Sequence, residues 1–295
     1  MFAIIGIVIV FGSVIAGFLM EHGQLAVLFQ PAELVTIGGA ALGTIFIGNP
    51  MHVVIGIGKG LAGAFSGSKY TKAYYLETLK MLNQLFSYAR KEGMVKLEAD
   101  VEEPKKSPVL SKYPKFLKDH HATDFICDTL RMSISGGIQG FDLDQMMELD
   151  IEVHHHQASL PVTSLNTVAD ALPGLGIVAA VLGIVVTMGS LGGPPEEIGK
   201  KVAAALVGTF LGILLCYGLF GPLAASMTKT TDAESDFYKF LRVAVVSFVK
   251  GFAPILAVEF ARRCIPNNVR PTFKEMEDHC KGKSGASAPE APAKK

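Results

Sequence analysis

Four long apolar runs without a charged side chain constrain the fold of this 295-residue chain more than any other feature of its sequence. The runs cover residues 2–20, 34–57, 171–191 and 202–226. An α-helix rises about 1.5 Å per residue, so about 20 apolar residues cross the hydrocarbon layer of a bilayer. The sequence therefore predicts an all-α membrane protein with four transmembrane helices.

The first run could be mistaken for a signal peptide because it is N-terminal, and the second run is interrupted. The first has no basic residues at its start and no small-residue cleavage motif at its end, so we expect it to be retained as a span. The second is interrupted by Asn49, Pro50 and His52. We expect its membrane part to end near residue 50 and its helix to continue into solvent.

Composition agrees with a chain that is only partly in the membrane. Charged residues make up 18 % of the chain, whereas a soluble domain carries about 25 %. The net charge is zero, so bulk charge gives no reason to expect nucleic-acid binding. The expected contact surface is the lipid bilayer.

The distribution of lysine and arginine gives the orientation through the positive-inside rule. Thirteen fall between residues 59 and 131 and twelve between 229 and 295, whereas the connection at 21–33 has none. The connection at 192–201 has two, offset by two glutamates. Both short connections are therefore predicted outside, and the middle segment and both chain ends in the cytoplasm.

These observations divide the chain into five segments. They are transmembrane helices 1 and 2 at 1–57, a large helical cytoplasmic domain at 58–169, transmembrane helices 3 and 4 at 170–226, a cytoplasmic C-terminal helical segment at 227–280 and a disordered tail at 281–295. The tail is small, polar and proline-containing, a composition typical of disorder.

The middle domain is predicted to be helical because large apolar side chains recur in it at three- and four-residue steps. They are Tyr75, Leu79, Leu82 and Phe86. Gly136 and Gly137 separate two further helical patterns.

The apolar runs contain glycines where an ion conductor would be expected to contain an ionisable residue. No Asp, Glu, Lys, Arg or His lies at membrane depth in the first, third or fourth run, although such residues mark ion pathways in membranes. Gly39 and Gly43, and Gly208 and Gly212, have the spacing that lets helices approach closely.

Two interpretations of these glycines remain open. In the first, they only pack the helices of this chain. In the second, the third and fourth spans line a groove for a helix of another protein, which brings the ionisable group. This chain would then supply hydroxyls, such as those of Thr187 and Thr209, and its prolines would act as hinges because each removes a backbone hydrogen bond.

Three consecutive histidines, His154, His155 and His156, are the remaining cluster of possible ligands. Consecutive residues point in different directions around a helix, so the three cannot all bind one metal ion. We predict a solvated face there. We predict no metal site, no cofactor and no catalytic residue in the chain.

Four stretches resemble the MotA family of flagellar stator proteins. They are "PAELVTIGGAALGTIFIGN", "SKYTKAYYLETLKMLNQLFSYARKEGMVKLEADVEEP", "ALPGLGIVAAVLGIVV" and "VGTFLGILLCYGLFGPLA". The resemblance runs from about residue 1 to about 280. The ExbB and TolQ proteins share the last two stretches more loosely and have one span before their large inside segment, whereas this chain has two.

The resemblance implies a homopentamer in the bacterial inner membrane. Five copies would surround two copies of MotB, whose membrane aspartate binds and releases the ion, and their cytoplasmic part would push on the rotor protein FliG. The charged residues that act on the rotor would be Arg90 and Glu98. Pro173 and Pro222 would couple ion movement to the cytoplasmic domain.

The resemblance also bears on the transported ion. Sodium-driven relatives, of the PomA type, carry threonine hydroxyls on both the third and fourth spans near the partner's aspartate. In this chain Thr209 supplies the hydroxyl on the fourth span, but the matching position on the third span is Ala180, which has none. The missing hydroxyl favours protons as the transported ion. Thr187 lies two turns further along the third span and keeps the sodium alternative open.

The predicted function is therefore ion-driven torque generation, without enzymatic chemistry. One alternative is an ExbB/TolQ-type energiser of the cell envelope. Another is a transporter or channel that works alone, which would need a titratable residue at membrane depth.

Overall fold

A computed structural model describes residues 2–136, 138–189 and 192–282, and every regular element in these ranges is helical. In chain order the α-helices are α1 (Phe2–Met20), α2 (Leu25–Leu28), α3 (Pro31–Gly48), α4 (Met51–Ser66), α5 (Lys72–Glu92), α6 (Met94–Glu102), α7 (Pro114–Leu117), α8 (His120–Ser135), α9 (Gly140–Met188), α10 (Pro195–Leu215), α11 (Gly221–Val249), α12 (Pro254–Cys264) and α13 (Phe273–Cys280). A 3₁₀ turn covers Leu110–Lys112, and a π-helical turn covers Cys216–Phe220. Four of the helical stretches are long and apolar enough to cross a membrane, which confirms the predicted span count.

The chain divides into two compact units. The membrane unit consists of Met1–Gly67 and His156–Thr231, and the polar unit consists of Ser68–His155 and Asp232–Lys295. The chain passes from one unit to the other three times, between α4 and α5, inside α9 and inside α11.

The second predicted span is broken, and the expectation that its helix continues past residue 50 is wrong. Helix α3 ends at Gly48, and a separate helix, α4, begins at Met51. The cause is Pro50, which disfavours helical geometry in the residue before it. Asn49 is accordingly extended, with φ −136° and ψ 142°. Its side chain donates to the carbonyl of Ile45 (2.9 Å) and accepts from the Ser164 hydroxyl, so the break is held in place.

The third and fourth apolar runs are parts of longer helical stretches. Helix α9 continues 31 residues upstream of the predicted start at 171, since it begins at Gly140. The predicted end of that run, residues 190 and 191, lies outside the described residues. The fourth run includes the end of α10, the π-helical turn and the start of α11.

The core of the polar unit confirms the helical pattern in the middle segment. Tyr75, Leu79, Leu82 and Phe86 are all fully buried on one face of α5. The Phe86 ring stacks on Phe248 of α11 with 4.4 Å between the ring centroids.

The C-terminal segment folds against α5. Helix α13 opens with a capping box between Thr272 and Glu275, and the Glu275 carboxylate also pairs with Lys72 of α5 at 2.8 Å. Nearly all of the predicted tail at 281–295 lies outside the described residues.

Candidate functional site

Helices α9 and α10 are in backbone contact along a line of glycines. A methyl group added to Gly176 of α9 would lie 2.7 Å from the carbonyl oxygen of Gly208 and 3.1 Å from the Cα of Gly212, both in α10. Further along α9, a methyl group on Gly183 would lie 2.7 Å from the Cβ of Ala205. We call Gly176, Gly183, Gly208 and Gly212 the glycine seam. Any larger side chain at these positions would push the two helices apart.

The other predicted glycine pair makes no such contact. Methyl groups added to Gly39 and Gly43 of α3 would have no atom of the described chain within 4 Å. Of the two glycine pairs named in the sequence analysis, only Gly208 and Gly212 pack closely against another helix within one copy of this chain.

Two predicted ion-path residues lie at the seam. Ala180 is buried, and its backbone nitrogen would lie 3.1 Å from a methyl group on Gly208. Thr209 is half-buried, and its Cα would lie 3.3 Å from a methyl group on Gly176. The structure thus brings together the two positions that were compared for ion type.

The third predicted path residue, Thr187, lies elsewhere on α9. It is seven residues beyond Ala180, or about 10 Å along a helix. Its side chain is 3 % exposed, and its hydroxyl donates to the carbonyl of Gly183 at 2.8 Å. Its donor is therefore used inside its own helix.

A carboxyl group that the sequence analysis assigned to a loop also lies at the seam. Glu33 was placed in the outer connection at 21–33, but α3 begins at Pro31, so Glu33 belongs to its first turn. Glu33 is 8 % exposed, and its Oε2 atom is buried without a hydrogen-bond partner among the described residues. Proline followed by an acidic residue in the first turn is a typical helix start, and this signal could have placed Glu33 in the span.

The Glu33 carboxylate faces both helices of the seam. A methyl group on Gly208 would lie 2.6 Å from its Oε2 atom, and one on Gly183 would lie 3.4 Å from its Oε1 atom. Gly208 is therefore a neighbour of both Glu33 and Ala180.

Prolines interrupt the hydrogen-bond ladder at three positions of the membrane unit. Pro173 is half-buried inside α9, and Pro222 is exposed in the first turn of α11. Directly before Pro222, the backbone N–H of Gly221 donates to the carbonyl of Cys216 and closes the π-helical turn. The third proline is Pro161, also in α9, and the sequence analysis did not single it out. A methyl group on Gly56 of α4 would lie 2.6 Å from the Pro161 ring.

The predicted rotor-contact residues lie on the surface of the polar unit. Arg90 is exposed in the last turn of α5, and Glu98 is exposed in α6. Gly93 joins the two helices with φ +93°, a conformation that favours glycine. Across the described residues, neither Arg90 nor Glu98 forms an ion pair or a side-chain hydrogen bond.

Two lysines near these residues share the carboxylate of Glu92. Lys96 binds Glu92 at 2.6 Å, and this hydrogen bond holds the pKa of Glu92 below its usual value. Lys91 lies 3.8 Å from Glu92. Arg90 and Glu98 are thus two unpaired charges of opposite sign beside a cluster in which two lysines share one carboxylate.

The predicted solvated face at His154–His156 is correct only for His156, because His154 and His155 are half-buried. The His154 ring packs on His121 and Tyr238, and its Nε2 atom lies 4.0 Å from a carboxylate oxygen of Glu234. Burial raises the pKa of the Tyr238 phenol, as do the carboxylates of Asp119 and Glu234, so the phenol stays protonated.

Among the described residues, no group of three or more His, Cys, Asp or Glu side chains is arranged to hold a metal ion.

Comparison with known families gives matches over most of the chain. The family model for the motility protein A N-terminal region matches residues 4–93. The model of the MotA/TolQ/ExbB proton channel family matches residues 118–239.

Two solved structures have a similar fold. The structure of C. jejuni MotAB has a TM-score of 0.72 and 18 % sequence identity, covering 90 % of this chain and 96 % of that chain. The flagellar MotAB stator complex from Bacillus subtilis has a TM-score of 0.69 and 22 % identity, covering 87 % and 92 %.

Individual relatives match nearly from end to end. Motility protein A of Escherichia coli K12 is 42 % identical over 279 residues, which cover 95 % of each chain. Motility protein A of Salmonella typhimurium is 41 % identical with the same coverage. The chemotaxis protein LafT of Vibrio parahaemolyticus is 36 % identical over 92 % of this chain and 96 % of its own. At this identity and coverage, the chain belongs to the motility protein A family, within the MotA/TolQ/ExbB proton channel group.

Proposed function

We propose that this chain is the A subunit of a proton-driven flagellar stator, which acts with MotB and exerts torque on the rotor protein FliG. The observation that carries this proposal is the glycine seam. At the level of Ala180 and Thr209, α9 and α10 pack through their backbones and present no side chain that can bind and release a proton. Glu33 of α3 reaches the seam at Gly208 and Gly183, and the acid that faces Ala180 and Thr209 comes from another chain.

MotB is the partner that fits this requirement. Two solved structures that share this fold are of MotAB complexes. We propose five copies of this chain around two copies of MotB. Ala180 and Thr209 line the path beside the MotB aspartate, and Thr187 lies nearer the outer end.

Protons are the proposed ion because Ala180 supplies no hydroxyl. Sodium needs several oxygen ligands at once, whereas a proton needs only the carboxylate and water. The single hydroxyl oxygen of Thr209 gives too few ligands from this chain to bind sodium.

Arg90 and Glu98 are the proposed contacts with the rotor. Exposed and unpaired charges can attract and orient a moving partner without a large buried interface. Lys91 and Lys96 both pair with Glu92, whereas Arg90 and Glu98 have no ion-pair partner among the described residues. Pro173 and Pro222 are proposed to couple proton movement to the cytoplasmic part.

The proposed location is the bacterial inner membrane, with both chain termini and the polar unit in the cytoplasm. The lysine and arginine distribution supports this orientation. In this role the chain makes and breaks no covalent bond of a substrate, and it needs no cofactor.

Complementation tests the proposal. A cell that lacks both stator genes is given this chain with its MotB, this chain alone or MotB alone, and spreading in soft agar is measured. We expect swimming only with both. The proposal fails if the pair does not restore swimming while both proteins are present in the membrane.

Proteoliposomes give a second test. Proton flux is measured with a pH-sensitive dye for this chain alone and for the complex. We expect flux only from the complex. Equal flux from this chain alone would contradict the proposal that the proton-binding acid comes from MotB.

A further inference from the structure

The Glu33 carboxyl is buried in the membrane unit with one oxygen unsatisfied. Glu33 is 8 % exposed, and the described residues offer no hydrogen-bond donor to its Oε2 atom. Its surroundings are the backbones of Gly183 and Gly208. A buried ionised carboxylate without a partner is costly, so this site favours a bound proton or another cation.

The position of Glu33 links the outer end of α9 to the proposed path. Gly183 is five residues before the end of α9 at Met188, or about 7.5 Å along the helix. Gly208, which faces the Oε2 atom of Glu33, also abuts Ala180. The carboxyl therefore lies within the span, near its outer end. Gly208 separates it from Ala180, which is a residue of the proposed path.

A purely structural role does not explain this placement well. The contact between α9 and α10 is formed by glycine backbones, and a neutral apolar side chain on α3 could cover it without an unsatisfied oxygen. Ionisable residues inside membrane spans are rare because of their cost, and they mark ion pathways.

We propose that Glu33 is a proton-holding group on the outer side of the path, which supplies protons to the acid of the partner helix. This inference rests on the proposed function and adds a second acid, carried by this chain. Hydronium from the outer side gives up a proton and leaves as water, and an O–H bond forms on the Glu33 carboxylate. That bond breaks when the proton passes to the carboxylate of the partner, and Glu33 is ionised again.

The test compares E33Q and E33M with E21Q in the complex with MotB. Gln keeps the shape of Glu without its titration, and Met fills the same space without a polar group. Glu21 is exposed in the preceding connection, so E21Q removes one outer negative charge without touching the seam. Proton flux into proteoliposomes is measured and divided by the amount of complex in the membrane.

We expect E33Q and E33M to lower the flux by roughly a hundredfold at an outside pH of about 8, because a positioned side chain that takes up and passes on a proton contributes a factor of about 10² or more. At an outside pH of about 6, where protons are plentiful, the loss should be much smaller. The E21Q complex should match the wild type at both values.

Three results would overturn the inference. Flux of E33Q and E33M equal to wild type at both pH values would show that Glu33 only fills space. Failure of both variants to assemble would give the carboxyl a structural role. Loss of wild-type flux on replacing sodium with potassium would show that the held ion is not a proton. If the wild-type complex passes no ions at all, the proposed function fails instead.

Discussion

Gly176 of α9 and Gly212 of α10 face each other so closely that a methyl group on Gly212 would lie 2.9 Å from the Cα of Gly176. The same methyl group would lie 2.5 Å from the carbonyl oxygen of Leu172. Both neighbours are backbone atoms, which cannot move aside as a flexible side chain can. Because these two glycines have no side chains, contact between the two backbones sets the distance between the helices.

The substitution G212A should destabilise the assembled complex. Overpacking of this kind costs about 1–3 kcal/mol, since the backbone has to shift. The measurement is the thermal unfolding of the complex in detergent. The matched control is G174A, because a methyl group on Gly174 of α9 would meet nothing within 4 Å. Equal unfolding temperatures for the two variants would contradict the close contact.

Charge reversal at the rotor surface should reduce torque without reducing assembly. R90E combined with E98K places the wrong sign opposite each partner charge, and such like-charge contacts cost several kcal/mol. Stall torque is measured on single motors, with the number of bound stators counted by fluorescence. The control is K91E, in which the reversed residue is exposed but lies beside Glu92. Unchanged torque in the double variant would show that the rotor contacts are elsewhere.

Much of the fold can be predicted from the sequence because apolar runs mark the parts of helices that face lipid. The existence of four spans and the buried face of α5 follow from length and period alone. The ends of the helices cannot be predicted from the apolar runs, because α9 and α11 extend as polar helices beyond the limits of these runs. The break at Asn49 was read as an interruption, since only the backbone shows that two helices result.

Parts of the candidate site depend on contacts that no local pattern contains. Glu33 fell in the connection at 21–33 because the second apolar run was counted from residue 34, whereas its carboxyl lies against α9 and α10. The three histidines were predicted to form a solvated face because helix geometry excluded a shared metal site, whereas His121 and Tyr238 cover His154 from other helices. Arg90 and Glu98 were located through the family resemblance, since charge pattern alone predicts an ordinary solvated face.

The stability of α12 should depend on pH through Glu259. This carboxylate binds Arg262 at 2.7 Å and Arg263 at 2.9 Å, and the hydrogen bond from Arg262 is the main cause of its lowered pKa. A lowered pKa in the folded state gives stability that is present above the ordinary glutamate pKa of about 4.3 and lost as pH falls through the folded value.

The variant E259Q should therefore lose on the order of 1–3 kcal/mol of local stability at neutral pH, the usual range for a hydrogen bond to a charged group. The difference from wild type should shrink at acidic pH. Hydrogen exchange of the α12 amides in the intact complex measures it. The control is E277Q, because Glu277 of α13 pairs with an exposed lysine, Lys281, and such a pair should contribute little. A pH-independent difference would assign the effect to packing.

Swimming should not depend on outside sodium. The proposed path carries a threonine hydroxyl at Thr209 and none at Ala180, which is a poor set of ligands for sodium. Replacing sodium chloride with potassium chloride should leave swimming speed unchanged, whereas a protonophore should stop it. A collapse of speed in potassium would identify a sodium-driven stator.

The wide turn at Cys216–Phe220 has a consequence for changes in chain length. A π-helical turn holds one residue more than an α-helical turn does. Deleting one residue within 216–220 would convert it to an ordinary turn and leave the faces of α10 and α11 pointing as they do now. The same deletion in the middle of α10 would rotate everything after it by about 100° and turn Leu223 and Ala224 away from their buried positions. The turn therefore gives this span tolerance to the loss of a residue immediately before Pro222.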